Sequence, residues 1–389
     1  MSIHSSRSKT DYDVIVVGAR PAGAATALNL ARGGAKVLMV DRALAGRDTL
    51  STHAIMRLGV NLLDRWGVLP RLVVEGTPVI RRTVFRYGAE RVEIAIKPQG
   101  QVEGLLAPRR HLLDRVLAEA ACEAGAEWAA GVTLEGMVRH GETRVGGAVL
   151  RDDRGRRFEV SADMVVGADG RNSTVAKLVG SESYETSRNA TASLYGYFDS
   201  PADDAFNWIF MPGFTGGIIP TNSGQVCAFI SVPPDRLRDA FRDDALAGLI
   251  GHFARFDRDL AERLRTTGPA EKLRRFAGAP GHLRQSYGPG WALVGDAGYF
   301  KDPATAHGIT DALRDGEALA RAILSDRPGS PALYQENRDR LSRDLFTVTD
   351  RIASLDWSMP EIKGLHAELA AAMKAEVREI DEGVFDVAA

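Results

Sequence analysis

The chain has 389 residues, of which 44% are hydrophobic and 26% charged, a composition typical of a globular protein with about two or three domains. Its 49 Lys and Arg residues almost balance its 51 Asp and Glu residues, and a formal charge of −2 gives no basic field for nucleic acid or anionic membranes. The first ten residues are polar, and no run approaches the roughly 20 apolar residues of a membrane helix, which predicts a cytoplasmic protein without a membrane span.

The first predicted elements are a strand, a helix and a second strand. Residues 13–17 are a short β-branched run, residues 24–32 are rich in Ala and Leu, and in residues 36–40 four apolar residues follow Lys36. The glycine-containing turn before the helix exposes backbone N–H groups where the helix dipole favours a pyrophosphate. Asp41 ends the second strand, where its carboxylate can accept both hydroxyls of an adenosine ribose and would repel a 2′-phosphate. The residues predicted here to bind FAD or NAD are Gly18, Arg20, Pro21, Ala22, Gly23, Asp41 and Arg42.

Arg20 occupies the position that the middle glycine holds in the dinucleotide pattern G-x-G-x-x-G. That glycine lets the backbone approach the pyrophosphate closely, so the turn works only if the Arg20 side chain points outward or along the phosphates. We expect the side chain to lie outside the turn and to contribute little to affinity. Without the surrounding strands and Asp41, the same turn would indicate no more than a tight strand-to-helix connection.

Two later apolar strands also deliver an aspartate to their carboxyl ends. One strand runs into Asp169-Gly170, and another runs into Gly295-Asp296 and a loop with Pro303 and Gly308 that leads into a helix. Ligands of open α/β sheets bind at the carboxyl ends of the strands. An aspartate at such a position can also simply cap the next helix, but three such strand ends in this order favour a ligand site.

With these three motifs, roughly residues 11–325 resemble the group A FAD-dependent monooxygenases. That superfamily includes para-hydroxybenzoate hydroxylase and polyketide hydroxylases and, more distantly, geranylgeranyl reductases and flavin-dependent halogenases. The resemblance implies an α/β fold: a Rossmann-like FAD-binding domain with an inserted, mostly antiparallel β-sheet substrate domain and a C-terminal helical tail. The implied boundaries are 10–78, 107–185 and 275–330 for the FAD-binding domain, 79–106 and 186–274 for the substrate domain, and 331–389 for the tail.

The composition of the inserted segments and of the tail agrees with this division. Residues 79–97 alternate apolar and polar side chains as half-buried strands do. Residues 206–220 are rich in aromatic side chains, and we expect them to form a wall facing the substrate. The apolar spacing in the tail predicts amphipathic helices. Three roles are open for them: they cover the substrate side, pack on the FAD-binding domain or form a dimer face. The protein is therefore expected to be a monomer or a homodimer.

The resemblance also implies roles for residues at the cofactor. Asp296, with Gly295 before it, would bind the ribitol of FAD, Pro303 would lie against the isoalloxazine face, and Arg47 and Arg110 would lie beside the pyrophosphate. Backbone N–H groups at the positive end of a helix would face the flavin N1/O2 edge, where reduction places negative charge. The residues implied for that edge are Gly308, Ile309 and Thr310.

Two histidines, His53 and His307, lie in segments that the resemblance places near the flavin. Ala306-His307-Gly308 replaces the family's frequent Gly-Gln-Gly, so His307 either touches the flavin or faces solvent. His53 lies in a segment that passes close to the isoalloxazine in the family, and it is the candidate for proton handling, with a structural role as the alternative. The histidines form no pair at helical ligand spacing, and Cys122 and Cys227 are too few for a zinc site, so no metal centre is expected.

The favoured function is a monooxygenase in which NAD(P)H reduces FAD and a flavin C4a-hydroperoxide hydroxylates a small aromatic or polyketide-like substrate. The resemblance implies that Asp169 serves both FAD and NAD(P)H, as the Asp-Gly motif does in hydroxylases of this family. The main alternative is an FAD-dependent reductase or dehydrogenase resembling geranylgeranyl reductase. A halogenase is disfavoured because the stretch from Asn207 to Pro212 contains one tryptophan, Trp208, whereas the Trp-x-Trp-x-x-Pro motif has two. A flavin-binding protein without catalysis is the alternative from another class.

Overall fold

The computed structural model describes residues 11–44, 48–49, 51–200, 203–241, 244–325 and 327–383. The strands are β1 (Tyr12–Val17), β2 (Val37–Asp41), β3 (Arg82–Tyr87), β4 (Glu90–Ala95), β5 (Glu127–Ala130), β6 (Thr133–His140), β7 (Arg144–Arg151), β8 (Arg157–Gly167), β9 (Ser183–Thr186), β10 (Ala192–Asp199), β11 (Ala205–Met211), β12 (Phe214–Pro220), β13 (Gln225–Val232), β14 (Arg274–Phe276), β15 (His282–Arg284), β16 (Tyr287–Gly288), β17 (Trp291–Leu293) and β18 (Tyr299–Phe300). The helices are α1 (Pro21–Arg32), α2 (Arg57–Arg65), α3 (Leu69–Val74), α4 (Arg110–Glu123), α5 (Thr174–Val179), α6 (Leu237–Ala240), α7 (Ala245–Ala254), α8 (Arg258–Thr267), α9 (Gly308–Leu324), α10 (Ser330–Ala353) and α11 (Met359–Asp381).

The first sheet has the strand order β16-β17-β8-β1-β2-β5, and β6 and β7 extend it from β8 as antiparallel strands. Its centre is parallel, with β1 between β2 and β8. The β-branched run of β1 is buried at its last four residues, as a parallel strand covered on both faces requires. The carboxyl ends of β1, β2, β8 and β17 therefore lie along one edge of the sheet, which brings the three motifs together.

The second sheet has the order β14-β10-β13-β12-β11-β3-β4 and is antiparallel except between β11 and β3. One face carries Phe206, Trp208 and Phe210 into a core shared with α10 and α11. The other face carries Ile209 and Phe214 into a core shared with α7 and α8. A third, short sheet joins β18, β15 and β9. This arrangement confirms the predicted α/β fold with an inserted, mostly antiparallel sheet and a helical tail.

The tail makes two of the three kinds of contact that the sequence left open. Tyr334 and Leu341 of α10 lie in a core beside the first sheet. Ile352, Trp357 and Leu365 lie in the aromatic core of the second sheet. The tail thus packs beside the first sheet and covers the inserted sheet. Across the described ranges, every helix is too short or too polar to cross a membrane.

Helices α1 and α9 pack at a distance that only small side chains permit. A Cβ added to Gly316 of α9 would lie 2.9 Å from the Cβ of Ala25 and 3.1 Å from the carbonyl oxygen of Ala22. Two of the nearest atoms belong to the α1 backbone, at Ala22 and Thr26, so a side chain at Gly316 would push the helices apart.

We predict that Gly316→Ala destabilises the protein by about 1–3 kcal/mol, because overpacking forces backbone shifts. The measurement is the midpoint of thermal or urea unfolding of the FAD-free chain. Gly364→Ala is the matched control, since Gly364 lies in α11 with no atom within 4 Å of an added Cβ. The control should be neutral or more stable by about 0.5–1 kcal/mol, because alanine favours helix. Equal stability of the Gly316 variant and the parent would contradict the packing argument.

Candidate functional site

A cavity of about 770 Å³ opens at the carboxyl edge of the first sheet. Its walls come from the β1–α1 turn, the end of β2, the loops after β8 and β17, the start of α9, and β10 of the inserted sheet. Of the residues predicted to bind the cofactor or to handle protons, those on the wall are Gly18, Arg20, Pro21, Ala22, Asp41, Arg42, His53, Arg110, Asp169, Asp296, Pro303, Gly308 and Ile309.

Three other predicted residues lie behind the wall. A Cβ on Gly23 would stand 1.7 Å from the carbonyl oxygen of Gly18, so Gly23 allows α1 to start directly against β1. Gly295 abuts Ala22, with 2.8 Å between an added Cβ and the Ala22 Cβ. Thr310 is fully buried, and its Oγ1 accepts a hydrogen bond from the Met56 backbone N–H at 3.0 Å. The predicted Arg47 lies outside the described residues.

The β1–α1 turn presents the N-terminus of α1 to the cavity. Gly18 has a φ of 107°, and a Cβ there would lie 2.4 Å from the carbonyl oxygen of Ala168, so only glycine fits. Arg20 precedes the helix, and no side chain in the part of the chain that the structure describes caps the N-terminus. The Arg20 guanidinium instead donates to Thr49 Oγ1 at 2.5 Å along the cavity wall. The first N–H groups of α1 are therefore left for an anion.

Asp41 and Asp169 both face the cavity and both hold backbone groups. The Asp41 carboxylate accepts from the N–H groups of Ala19 and Ala43 at 2.9 and 2.8 Å, which fixes it beside the turn. The Asp169 carboxylate accepts from Ser173 Oγ at 2.5 Å and from the Thr174 N–H at 2.6 Å, at the start of α5. Asp169 thus caps a helix, the alternative role recognised from the sequence, and also lies on the wall.

Asp296 differs from these two because no described residue donates a hydrogen bond to its carboxylate. Burial raises its pKa to about 6, against the opposing effect of the cations Lys301, Arg110 and Arg171. An ionised carboxylate held without hydrogen bonds is costly. Its position on the wall leaves it ready for hydroxyl donors from a ligand.

A second helix N-terminus, that of α9, opens into the same cavity. His307 precedes α9, and none of the described side chains caps this N-terminus. The turn before it forms without the family's first glycine, because Ala306 adopts a left-handed φ of 52°. Such a conformation costs a non-glycine residue about 1–2 kcal/mol. The uncapped N–H groups at Gly308 and Ile309 lie on the wall, where they can face an acceptor.

A buried cluster of charged groups lies behind this loop. Lys301 pairs with Asp311, and Arg314 pairs with Glu376 of α11. His307 is 1% exposed, and its Nδ1 lies 3.0 Å from Asp311 Oδ1, so it neither faces solvent nor lines the cavity. Burial beside Lys301 and Arg314 lowers the pKa of His307 well below its usual value, which leaves the ring neutral.

Three members of this cluster, His307, Asp311 and Glu376, offer atoms within 4.8 Å of one another. The ammonium of Lys301 and the guanidinium of Arg314 already contact the two carboxylates. The cluster is thus a buried ion network that joins the loop before α9 to the tail.

His53 is buried on the cavity wall with a left-handed φ of 70°. Its Nε2 forms a hydrogen bond with the hydroxyl of Tyr197, and its Nδ1 has no hydrogen-bond partner among the described residues. Burial lowers the pKa of His53 to about 3, with Arg109 and Arg110 acting in the same direction and Asp48 against them. The ring is therefore neutral over the physiological range.

Several wall residues were not predicted. Arg171 stacks over Phe276 with 4.8 Å between its guanidinium carbon and the ring centroid, and Lys301 and Tyr195 also line the cavity. Arg171 directly follows the Asp169-Gly170 motif, which was the available sequence signal. None of the described residues on the wall of this cavity comes from 206–220, the stretch expected to face the substrate. Its aromatic side chains fill cores on both faces of the second sheet instead.

This geometry fits a dinucleotide with a flavin at one end. Two uncapped helix N-termini open into one cavity, which suits a pyrophosphate at α1 and an electron-rich ring edge at α9. Between them, the unpartnered Asp296 carboxylate suits the hydroxyls of a ribitol chain. Bound FAD would also supply a partner for the buried Nδ1 of His53.

Comparisons with known proteins agree with this fit. The family model for the FAD binding domain matches residues 11–332. Menaquinone reductase from Mycolicibacterium smegmatis is 28% identical over 366 residues, 89% of this chain and 85% of that protein. Digeranylgeranylglycerophospholipid reductase 2 from Methanococcoides burtonii is 28% identical over 333 residues, 81% of this chain and 76% of that protein.

A solved structure of PqsL, a probable FAD-dependent monooxygenase from Pseudomonas aeruginosa, has the same fold. The TM-score is 0.78 at 20% identity, and the match covers 92% of this chain and 99% of that one. FAD is the cofactor of the family, and NAD(P)H is its typical reductant. Because the family model spans most of the chain, this protein belongs to the FAD-binding-domain family of flavin-dependent oxidoreductases.

Proposed function

We propose that this oxidoreductase is a monooxygenase that uses NAD(P)H and dioxygen to hydroxylate a small organic substrate of aromatic or polyketide type. The observation that carries the proposal is that neutral side chains form part of the cavity wall, among them residues at the start of α9 and in the loop before it. The neutral side chains on this part of the wall are His53, Tyr195, Pro303, Ala306 and Ile309. Oxygen transfer requires a site where stray protons do not divert dioxygen to hydrogen peroxide.

Two of the titratable groups on the cavity wall, His53 and Tyr195, exchange no protons near neutral pH. His53 remains unprotonated because burial lowers its pKa to about 3. Tyr195 retains its proton because burial raises its pKa to about 12. Lys301 also lines the cavity; it pairs with Asp311, and burial lowers its pKa to about 7. His53 and Tyr195 therefore orient ligands by hydrogen bonds and contact and transfer no proton themselves.

The cofactor residues proposed from the sequence keep their roles in this account. Bound FAD supplies two-electron transfer between NAD(P)H, dioxygen and substrate. Asp296 accepts from the ribitol, the N-terminus of α1 binds the pyrophosphate, and the positive end of α9 stabilises negative charge that develops at its end of the cavity. Arg110, fixed by its 2.8 Å ion pair with Asp114, adds positive charge to the wall. The domain boundaries are likewise retained as proposals.

A second candidate is an FAD-dependent reductase, and the sequence relatives favour it. Two proteins 28% identical to this chain over most of their length are named as reductases of menaquinone and of a digeranylgeranylglycerophospholipid. A reductase would use the same cofactor site and the same electrostatic help from α9. It would differ in delivering hydride to an apolar substrate without dioxygen.

We predict that Asp296→Ala weakens FAD binding by about tenfold or more, because a charge-assisted hydrogen bond to the ribitol is lost. The measurement is the dissociation constant of FAD with the FAD-free chain, followed by flavin fluorescence. Asp153→Ala, at an exposed aspartate between β7 and β8, serves as the control and should bind as the parent does. Parental affinity in the Asp296 variant would overturn the assignment of this residue.

The raised pKa of Asp296 also predicts how stability changes with pH. In the folded FAD-free chain this carboxyl has a pKa of about 6, above its ordinary value of 3.8, so folding favours the protonated form. Its contribution is fully present below pH 3.8 and is lost as pH rises through 6. Urea unfolding at a series of pH values should therefore show that the free energy of unfolding declines between pH 4 and 6. This decline should be smaller in Asp296→Asn. If the free energy of unfolding has the same dependence on pH in the two proteins, the pKa of Asp296 is not raised by folding.

The reaction class is tested with isotopically heavy dioxygen and a panel of aromatic, polyketide and isoprenoid compounds, with NAD(P)H oxidation and product mass as readouts. We expect NAD(P)H and dioxygen to be consumed together and one labelled oxygen atom to appear in the product. A product that forms equally well under anaerobic conditions, two hydrogens heavier and without label, would reject the monooxygenase and establish the reductase.

A further inference from the structure

His53 carries a buried polar atom that the described part of the chain does not satisfy. The residue is 0% exposed, lines the cavity and pairs through Nε2 with the Tyr197 hydroxyl, while Nδ1 has no partner in the described ranges. A buried nitrogen without a hydrogen bond is unfavourable, and native proteins rarely leave one unless a ligand or water completes it. The free Nδ1 therefore points to a ligand contact.

Counting donors and acceptors assigns the proton on the ring. A neutral imidazole carries one N–H. If Nε2 donated to Tyr197, both the Tyr197 O–H and the bare Nδ1 would lack a partner among the described residues. If the Tyr197 O–H donates to Nε2, only the Nδ1–H remains unsatisfied. The second arrangement leaves one group unpaired in place of two, so Nδ1 is the donor.

Tyr197 is held as a donor by its surroundings. The Arg109 guanidinium lies over its ring at 3.5 Å from the centroid. Arg109 is itself fixed by Asp48 at 2.7 Å and by Glu271 at 2.6 Å. Burial raises the pKa of the Tyr197 phenol, so the hydroxyl keeps its hydrogen. The phenol therefore has a fixed position from which to donate to His53.

The same contacts place His53 beside the loop that leads into α9. The segment containing His53 is anchored by the bond from the Met56 N–H to Thr310 Oγ1. His53, Ala306 and the first residues of α9 line the same cavity. His53 thus shares its cavity with the helix end to which the flavin edge is assigned, and the ring system of FAD offers carbonyl oxygens and ring nitrogens as acceptors.

We infer that His53 donates a hydrogen bond from Nδ1 to an acceptor atom on the isoalloxazine ring of bound FAD, with Tyr197 as the positioning residue that fixes the tautomer. The inference rests on FAD as the cofactor and is independent of whether the reaction is an oxygenation. A hydrogen bond to a charged acceptor is about twice as strong as one to a neutral acceptor. The donor therefore stabilises reduced FAD more than oxidised FAD.

Two substitutions separate the two nitrogens of His53. In His53→Asn the side-chain amide reaches the place of Nδ1, and in His53→Gln it reaches the place of Nε2. Asparagine also tolerates the left-handed φ of this residue well. We expect His53→Gln to lower the affinity for reduced relative to oxidised FAD by about tenfold, which is about 30 mV in the midpoint potential of a two-electron couple. His53→Asn should keep the parental potential.

His366→Gln is the matched control. His366 also pairs with a tyrosine, through a 2.7 Å bond between Nδ1 and the Tyr87 hydroxyl, but it does not line the cavity. Its variant should leave the potential unchanged. An unchanged potential in His53→Gln, or equal shifts in both His53 variants, would overturn the inference.

A measurement on the unmodified protein covers the case in which a His53 variant loses its fold or its flavin. Nitrogen-15 NMR of the histidine-labelled, FAD-loaded chain should show His53 as the Nδ1–H tautomer, with an Nδ1 shift that changes when FAD is removed. Tyr197→Phe should convert the ring to a mixture of tautomers. An Nε2–H tautomer, or an Nδ1 chemical shift that stays the same when FAD is removed, would refute the contact. This outcome does not depend on which reaction the protein catalyses.

Discussion

Close contact between α1 and α9 is the constraint on which the site depends. Gly316 lets α9 rest on the backbone of α1 at Ala22, and Gly23 lets α1 begin directly against the carbonyl of Gly18. Because the two helices are locked together, their uncapped N-termini open into one cavity. In a dinucleotide bound there, the pyrophosphate at the centre can then lie at the positive end of α1, and the electron-accepting ring can lie at the positive end of α9.

The buried ion network extends this constraint to the C-terminal tail. Arg314, in the second turn of α9, binds Glu376 of α11, while Lys301 before the helix binds Asp311. Breaking one partner of such a network leaves an uncompensated buried charge, which is strongly destabilising. The tail is therefore part of the support of the flavin-binding loop as well as a cover for the inserted sheet.

Much of the fold follows from the sequence because parallel strands place their carboxyl ends on one edge. That rule is enough to bring Asp41, Asp169 and Asp296 to one cavity, although each lies in a different part of the chain. Side-chain direction within loops has no such rule. The burial of His307 depends on Glu376, 69 residues later, and the aromatic residues of 206–220 are core because helices cover both faces of their sheet. Contacts of this kind involve elements far apart in the sequence, and the periodicity of apolar residues within one element does not predict them.

The central claim is that the ends of α1 and α9 hold one FAD between them. A crystal structure of the FAD-loaded chain tests it most directly. The account predicts the pyrophosphate at the backbone of residues 18–22, the ribitol at Asp296 and the isoalloxazine between His53 and the start of α9. An isoalloxazine that lies away from the start of α9, or a pyrophosphate held away from α1, would contradict it.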